Sequence, residues 1–68
     1  MADLQDRMLK WFNFDHLPVE LQGVSGDAYS LACSWLGQIE PGPERTVALR
    51  KLLEAKDAAV RAKLHPGG

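Results

Sequence analysis

Cysteine is nearly absent from this 68-residue chain: Cys33 stands alone, so no disulfide can close within it. A chain this short buries only about 60% of the surface that its unfolded form exposes. Small scaffolds therefore usually draw on disulfides, a metal or partner subunits. His16 and His65 are far apart, with no second cysteine and no carboxylate pair at ligand spacing, which argues against a structural zinc site. Self-association is the support that remains, and no cofactor is expected. Cys33, between Ala32 and Ser34 in an apolar helical context, reads as a small core residue. A lone thiol of this kind fits a reducing, cytosolic setting.

Long hydrophobic runs are also missing. No stretch approaches the roughly 20 apolar residues of a membrane span. The opening MADLQDRMLKWF carries acidic groups and lacks the shape of a signal peptide. No alternating strand pattern, internal repeat or low-complexity tract is present. A Ser-His-Asp arrangement, a glycine-rich phosphate loop followed by lysine, and H-E-x-x-H are all absent, so the chain reads as a binder and not an enzyme. The net charge of −1 is too weak for general DNA binding, and a helix-turn-helix around Pro41–Pro43 would lead into a helix of mixed charge. Charge is unevenly placed, however. Residues 1–42 carry two basic against six acidic side chains, net −4, and residues 43–68 carry six against three, net +3.

What is present is helix. Pro41 to Leu64 predicts one helix of about six turns, with Gly42 as cap, Pro43 at the first position and Glu44 beside the positive end of the dipole. His65, Pro66 and the glycines end it. Leu49, Leu52, Leu53, Ala59, Val60 and Leu64 recur at helical spacing, a stripe longer than one short chain can cover. Upstream, a short helix is expected over Asp3–Lys10, capped by Asp3, with Leu4, Met8 and Trp11 on one face. Phe12–His16 reads as irregular. A second helix restarts at Leu17-Pro18 and continues to residue 40, with a break expected near Gly23–Gly26 and Ser25 capping the continuation. The tight connection around Pro41–Pro43 makes the two long helices antiparallel neighbours. The expected fold is all-α: one domain over 1–68, with an N-terminal helix and aromatic segment in 1–16, then a helical hairpin of 17–40 and 43–64, assembling into a homo-oligomer.

Three constellations can carry binding. Trp11, Phe12, Phe14, His16 and Pro18 gather aromatics, a histidine and a proline between helices. They read either as an apolar plug over the hairpin or as a stacking platform, since aromatic faces stack on nucleobases at about 1–3 kcal/mol per base. Arg45, Thr46, Arg50 and Lys51 follow the start of the last helix, where exposed N–H groups attract anions. They read either as a solvated helix face or as phosphate contacts, and Arg45 is misplaced for the dipole alone. Asp57 and Arg61 stand four apart, the spacing of a helix ion pair worth about 0.3–0.5 kcal/mol; Arg61 can also face a phosphate across a subunit boundary.

Two blocks, Trp11-Phe12-Asn13-Phe14 leading into His16-Leu17-Pro18 and Pro43-Glu44-Arg45-Thr46-x-Ala48-Leu49-x-Lys51-Leu52-x-Glu54-Ala55, resemble the helical hairpin of phage anti-CBASS and anti-Thoeris sponge proteins. They also resemble small proteins common in phages of actinobacteria. The resemblance spans roughly residues 7–64. It implies a non-enzymatic protein of the infected bacterial cytoplasm that sequesters cyclic di- or trinucleotide immune signals. It also implies hexameric assembly with pockets between subunits. Phe14 falls where the family has a stacking tyrosine, so stacking is kept and a hydroxyl is absent; Asp15-His16-Leu17-Pro18 matches a His-Pro-Pro pattern in part. Ser25 falls near the family's basic residue of the second helix, and Arg61 near its late arginine. The alternative is a helical interaction module that binds a host or phage protein through its exposed aromatics.

Overall fold

The computed structural model describes residues 7–67. A 3-10 turn, Arg7–Phe12, precedes two α-helices, α1 over Val19–Gln38 and α2 over Pro43–Leu64, and the described residues include no strand. At 1.5 Å per residue these helices are about 30 and 33 Å long. The longest dimension of the molecule is 37 Å, so the helices lie side by side. With only four residues between them they run antiparallel, as the hairpin expectation requires.

The boundaries of α2 follow local chemistry. Gly42 holds the cap position in extended backbone, and Pro43 starts the helix where its missing N–H has no partner to lose. The Thr46 N–H and its Oγ1 both donate to the Gly42 carbonyl, at 3.2 and 3.3 Å. At the other end Arg61 and Lys63 sit by the negative end of the dipole, and the His65 N–H donates to the Arg61 carbonyl at 2.8 Å. Pro66 cannot continue the helix, and Gly67 takes the left-handed conformation at φ 83°.

Helix α1 departs from expectation: it runs unbroken through Gly23–Gly26 for 20 residues. Two interior glycines cost about 1 kcal/mol each against alanine. The row Leu21, Ser25, Ala28, Ala32 and Leu36 is buried on both sides of that stretch, and tertiary burial outweighs the local penalty. Ser25 is therefore not a cap. It sits mid-helix and fully buried, and its Oγ has no hydrogen-bond partner. The start of α1 is held from outside instead: Gln22 Nε2 donates to the Leu17 carbonyl at 2.8 Å, and the Leu21 N–H to that of Pro18 at 2.9 Å.

The N-terminal element also differs. Residues from Arg7 wind as a 3-10 helix ending at Phe12, while the expected cap Asp3 and its neighbour Leu4 lie outside the described residues. Three residues per turn put Leu9 and Phe12 on one line and Met8 and Trp11 on the next, and the Leu9–Phe12 line faces the helices. Phe12 thus enters the core, fully buried with Ala28, Ala32, Leu36 and Leu49, and Trp11 turns outward. Around this cluster Met8, Leu9, Tyr29, Trp35, Leu52 and Leu53 are half-buried. Beyond Leu49 no residue of α2 is fully buried, which leaves most of its apolar stripe only partly covered.

The continuity of α1 is testable at Gly23, which has no atom within 4 Å of where a Cβ would stand. Gly23→Ala is expected to raise unfolding stability by up to about 1 kcal/mol in urea titration. A break at this position would turn that gain into a null result or a loss.

Candidate functional site

The first aromatic group divides into three roles. Phe12 is in the core and offers no face for stacking, which corrects the expectation placed on it. Trp11 is 58% exposed, with the Lys10 ammonium 5.3 Å from its ring centroid, a cation–π arrangement on an open surface. Phe14 is half-buried: it lies over Gly26, and its ring meets Tyr29 edge-to-face at 5.6 Å between centroids and 66°. His16 and Pro18 are exposed beside it in the segment that enters α1.

Tyr29 is a member of this group that sequence reasoning missed. Its phenol is pushed above the ordinary tyrosine range, first by charge repulsion with the Cys33 side chain one helical turn on. Burial, a side-chain hydrogen bond to Cys33 and the Asp15 charge act in the same direction. The spacing Tyr29-x-x-x-Cys33 was readable as a shared helix face. The approach of Phe14 from another segment was not.

The second group is not one site. Arg45 is only 6% exposed, and its Nη1 donates to the Ile39 carbonyl at 3.0 Å, tying α2 to the end of α1. Its misfit with the helix dipole thus resolves as a structural role. Thr46 returns its hydroxyl to Gly42. Arg50 is exposed, and Lys51 is exposed 3.8 Å from Glu54, a surface pair of little energetic weight. Ser25, buried within α1, presents nothing to a ligand in this chain.

At the far end of α2, Asp57 does not pair with Arg61 as its spacing suggested. Its carboxylate takes the Lys56 ammonium at 3.0 Å instead, with the Lys56 side chain largely buried. Arg61 is left to line an open concavity of about 340 Å³ together with Ala58, Ala62, His65 and Gly67. His65 is the second member that sequence reasoning missed, though it stands four residues after Arg61 on the same helical face. The two alanines keep the floor low, and the left-handed Gly67 folds the chain back beside it.

Topology sorts these pieces. The segment from Phe14 to Pro18 enters α1 at the open end of the hairpin, where α2 also exits through Arg61 and His65. Arg45, Thr46, Arg50 and Lys51 belong to the closed end or the waist. Arg45 and Arg61 are 16 residues apart in one helix, about 24 Å along its axis. One chain therefore brings His16, Pro18 and Arg61 toward one end, seats the Phe14 ring on Gly26 and Tyr29 near the middle of α1, and keeps Arg45, Thr46, Arg50 and Lys51 away from that end. Among the described residues, no group of three or more His, Cys, Asp or Glu is placed to hold a metal, and no helix is long and apolar enough to cross a membrane. The chain matches no protein-family model, no curated protein and no solved structure.

The Tyr29 environment gives a direct prediction. This is the only tyrosine in the chain, so its phenolate absorbance reports one group. Its midpoint is expected above the ordinary value of about 10, and Cys33→Ala is expected to lower it. A phenol favoured in its neutral form by folding adds stability that is complete below the unfolded pKa and is lost as pH rises through the folded one. An unshifted midpoint, or no response to the Cys33 substitution, contradicts the assignment.

Proposed function

We propose that this protein is a sponge: it binds a cyclic oligonucleotide immune signal, a cyclic di- or trinucleotide, and holds it unaltered in the cytoplasm of an infected bacterium. The observation that carries the reading is the open end of the hairpin. Arg61 and His65 edge a concavity on α2 there, at the end where His16 and Pro18 lead into α1, and Phe14 lies further along α1 against Gly26 and Tyr29. Guanidinium and imidazole groups suit phosphate oxygens, and an aromatic segment suits bases. The resemblance of the Trp11–Pro18 and Pro43–Ala55 blocks to the sponge hairpins supports the same ligand class.

A concavity of about 340 Å³ stands at the lower limit of ligand pockets, which run to roughly 1,000 Å³. It is open on one side. A ring of two or three nucleotides calls for a second wall, and in this reading another copy of the chain supplies it. Self-association, with a homohexamer as the family resemblance implies, is therefore part of the proposal. Arg50, Lys51 and Trp11, exposed but remote from the open end, would reach the ligand only from such a neighbouring copy. Sequestration lowers the free signal by mass action and needs affinity, not turnover.

The second reading, an interaction module for a host or phage protein, is favoured by Trp11, an exposed aromatic of the kind that anchors protein interfaces. A thermal-shift screen separates the two. Ligand at about 100 times its Kd adds roughly 2.7 kcal/mol to the native state. In a domain of this size that is a shift on the order of 10 °C. A cyclic di- or trinucleotide is expected to produce such a shift, Arg61→Ala to abolish most of it, and heating the complex to release the ligand intact. Hydrolysed ligand refutes a sponge; no shift with any cyclic nucleotide, alongside specific capture of one protein, favours the module.

A further inference from the structure

One flank of the hairpin carries a charge and size pattern that is complementary to itself. On α1 the buried row is Leu21, Ser25, Ala28, Ala32 and Leu36. One position before each stand Glu20, Val24, Asp27, Leu31 and Trp35, a second row about 100° around the helix. Leu31 is 41% exposed, Val24 and Trp35 are half-buried, and Glu20 and Asp27 are exposed. On α2 the residues Leu52, Lys56, Ala59 and Lys63 repeat the spacing of Glu20, Val24, Asp27 and Leu31, with charged and apolar positions interchanged. Leu52 and Ala59 are half-buried, and Lys63 is exposed.

The charge partition points the same way. No Lys or Arg occurs between Lys10 and Arg45, and α1 carries only Glu20 and Asp27 as charged side chains. From Arg50 to Lys63, α2 carries five basic against two acidic groups. Among the described residues no ion pair joins the acidic groups of α1 to the basic groups of α2. The ion pairs found among the described residues, Lys51–Glu54 and Lys56–Asp57, both lie within α2.

We propose that this flank is a self-association face, and that its occupant is the same flank of a second copy, related by a two-fold axis along the hairpin. Such an axis lays α1 of one copy antiparallel on α2 of the other while keeping each residue at its own level. Glu20 then meets Lys63, Val24 meets Ala59 and Leu31 meets Leu52, each contact occurring twice, with Asp27 level with the largely buried Lys56. Lys56 is already held by Asp57, so the exposed Glu20–Lys63 pair carries the charge contact and Asp27 acts on the basic surface of α2 at longer range. The face rests on the self-association in the functional reading above, and it specifies which surfaces meet.

The test is the oligomeric state of the full chain without nucleotide, followed by sedimentation equilibrium across concentration. The mass is expected to exceed the 7.5 kDa of one chain. Reversing Glu20 and Asp27 together (E20K/D27K) is expected to weaken association by about tenfold or more, since each reversal counts twice across the axis. Starting from E20K alone, adding K63E is expected to restore association; circular dichroism of every variant checks that the hairpin stays helical. A monomeric wild type, or an assembly indifferent to E20K/D27K, overturns the face. A monomer that still binds a cyclic nucleotide overturns this inference and spares ligand binding. An assembly that responds to the reversals but ignores every cyclic nucleotide upholds the face and counts against the sponge.

Discussion

Phe12 in the notch between the two helices is the contact on which the rest depends. Its ring is fully buried against Ala28, Ala32, Leu36 and Leu49, so one side chain joins all three elements. The two alanines matter as much as the phenylalanine, because larger residues there would leave no room for the ring between the helices. Burial of a phenylalanine is worth about 1.5–3 kcal/mol, a large share of the stability of a domain this small. It also directs the neighbouring residues. With Phe12 inward, Trp11 faces solvent, and Phe14 reaches the Gly26–Tyr29 surface of α1.

That core is small and sits toward the closed half of the hairpin. Arg45 reinforces the same half by tying α2 to Ile39. Toward the open half, α2 has no fully buried residue, and the row facing it on α1 includes the unpartnered hydroxyl of Ser25. The chain thus leaves its thinnest packing toward the end where His16, Arg61 and His65 lie. A second copy on that flank covers the half-buried apolar rows, and the 340 Å³ concavity, on the outer face of α2 opposite Leu49, calls for a further copy to close it. Stability and binding are in this account two consequences of one assembly.

Much of the fold was legible in the sequence, because the signals were local. Gly42-Pro43 and His65-Pro66 bound α2 where cap chemistry puts them, and the short connection dictated the antiparallel pairing. Legibility ended where tertiary contacts outweighed local preference. Gly23 and Gly26 signal a break, yet α1 is continuous, because burial of the Leu21–Leu36 row outweighs two glycine penalties. The choice among Trp11, Phe12 and Phe14 for the core depended on how the 3-10 turn docks on the two helices, a tertiary contact that side-chain identity does not encode. Arg45 read as an anion contact, and one of its partners, the Ile39 carbonyl, is a backbone group with no sequence signature. The candidate site was legible in part: Arg61, His16 and Pro18 stood out in the sequence and are exposed, while the roles of Tyr29 and His65 emerged only once the chain was folded.

The central claim is that the binding site is completed between copies and holds its ligand unchanged. Native mass spectrometry of the full chain mixed with a cyclic di- or trinucleotide reads both parts at once. The account predicts an assembly whose mass is a whole multiple of the 7.5 kDa chain plus intact cyclic ligand, with no ligand on the monomer. Ligand retained by a single chain, or an assembly that carries no nucleotide at saturating concentration, would contradict it.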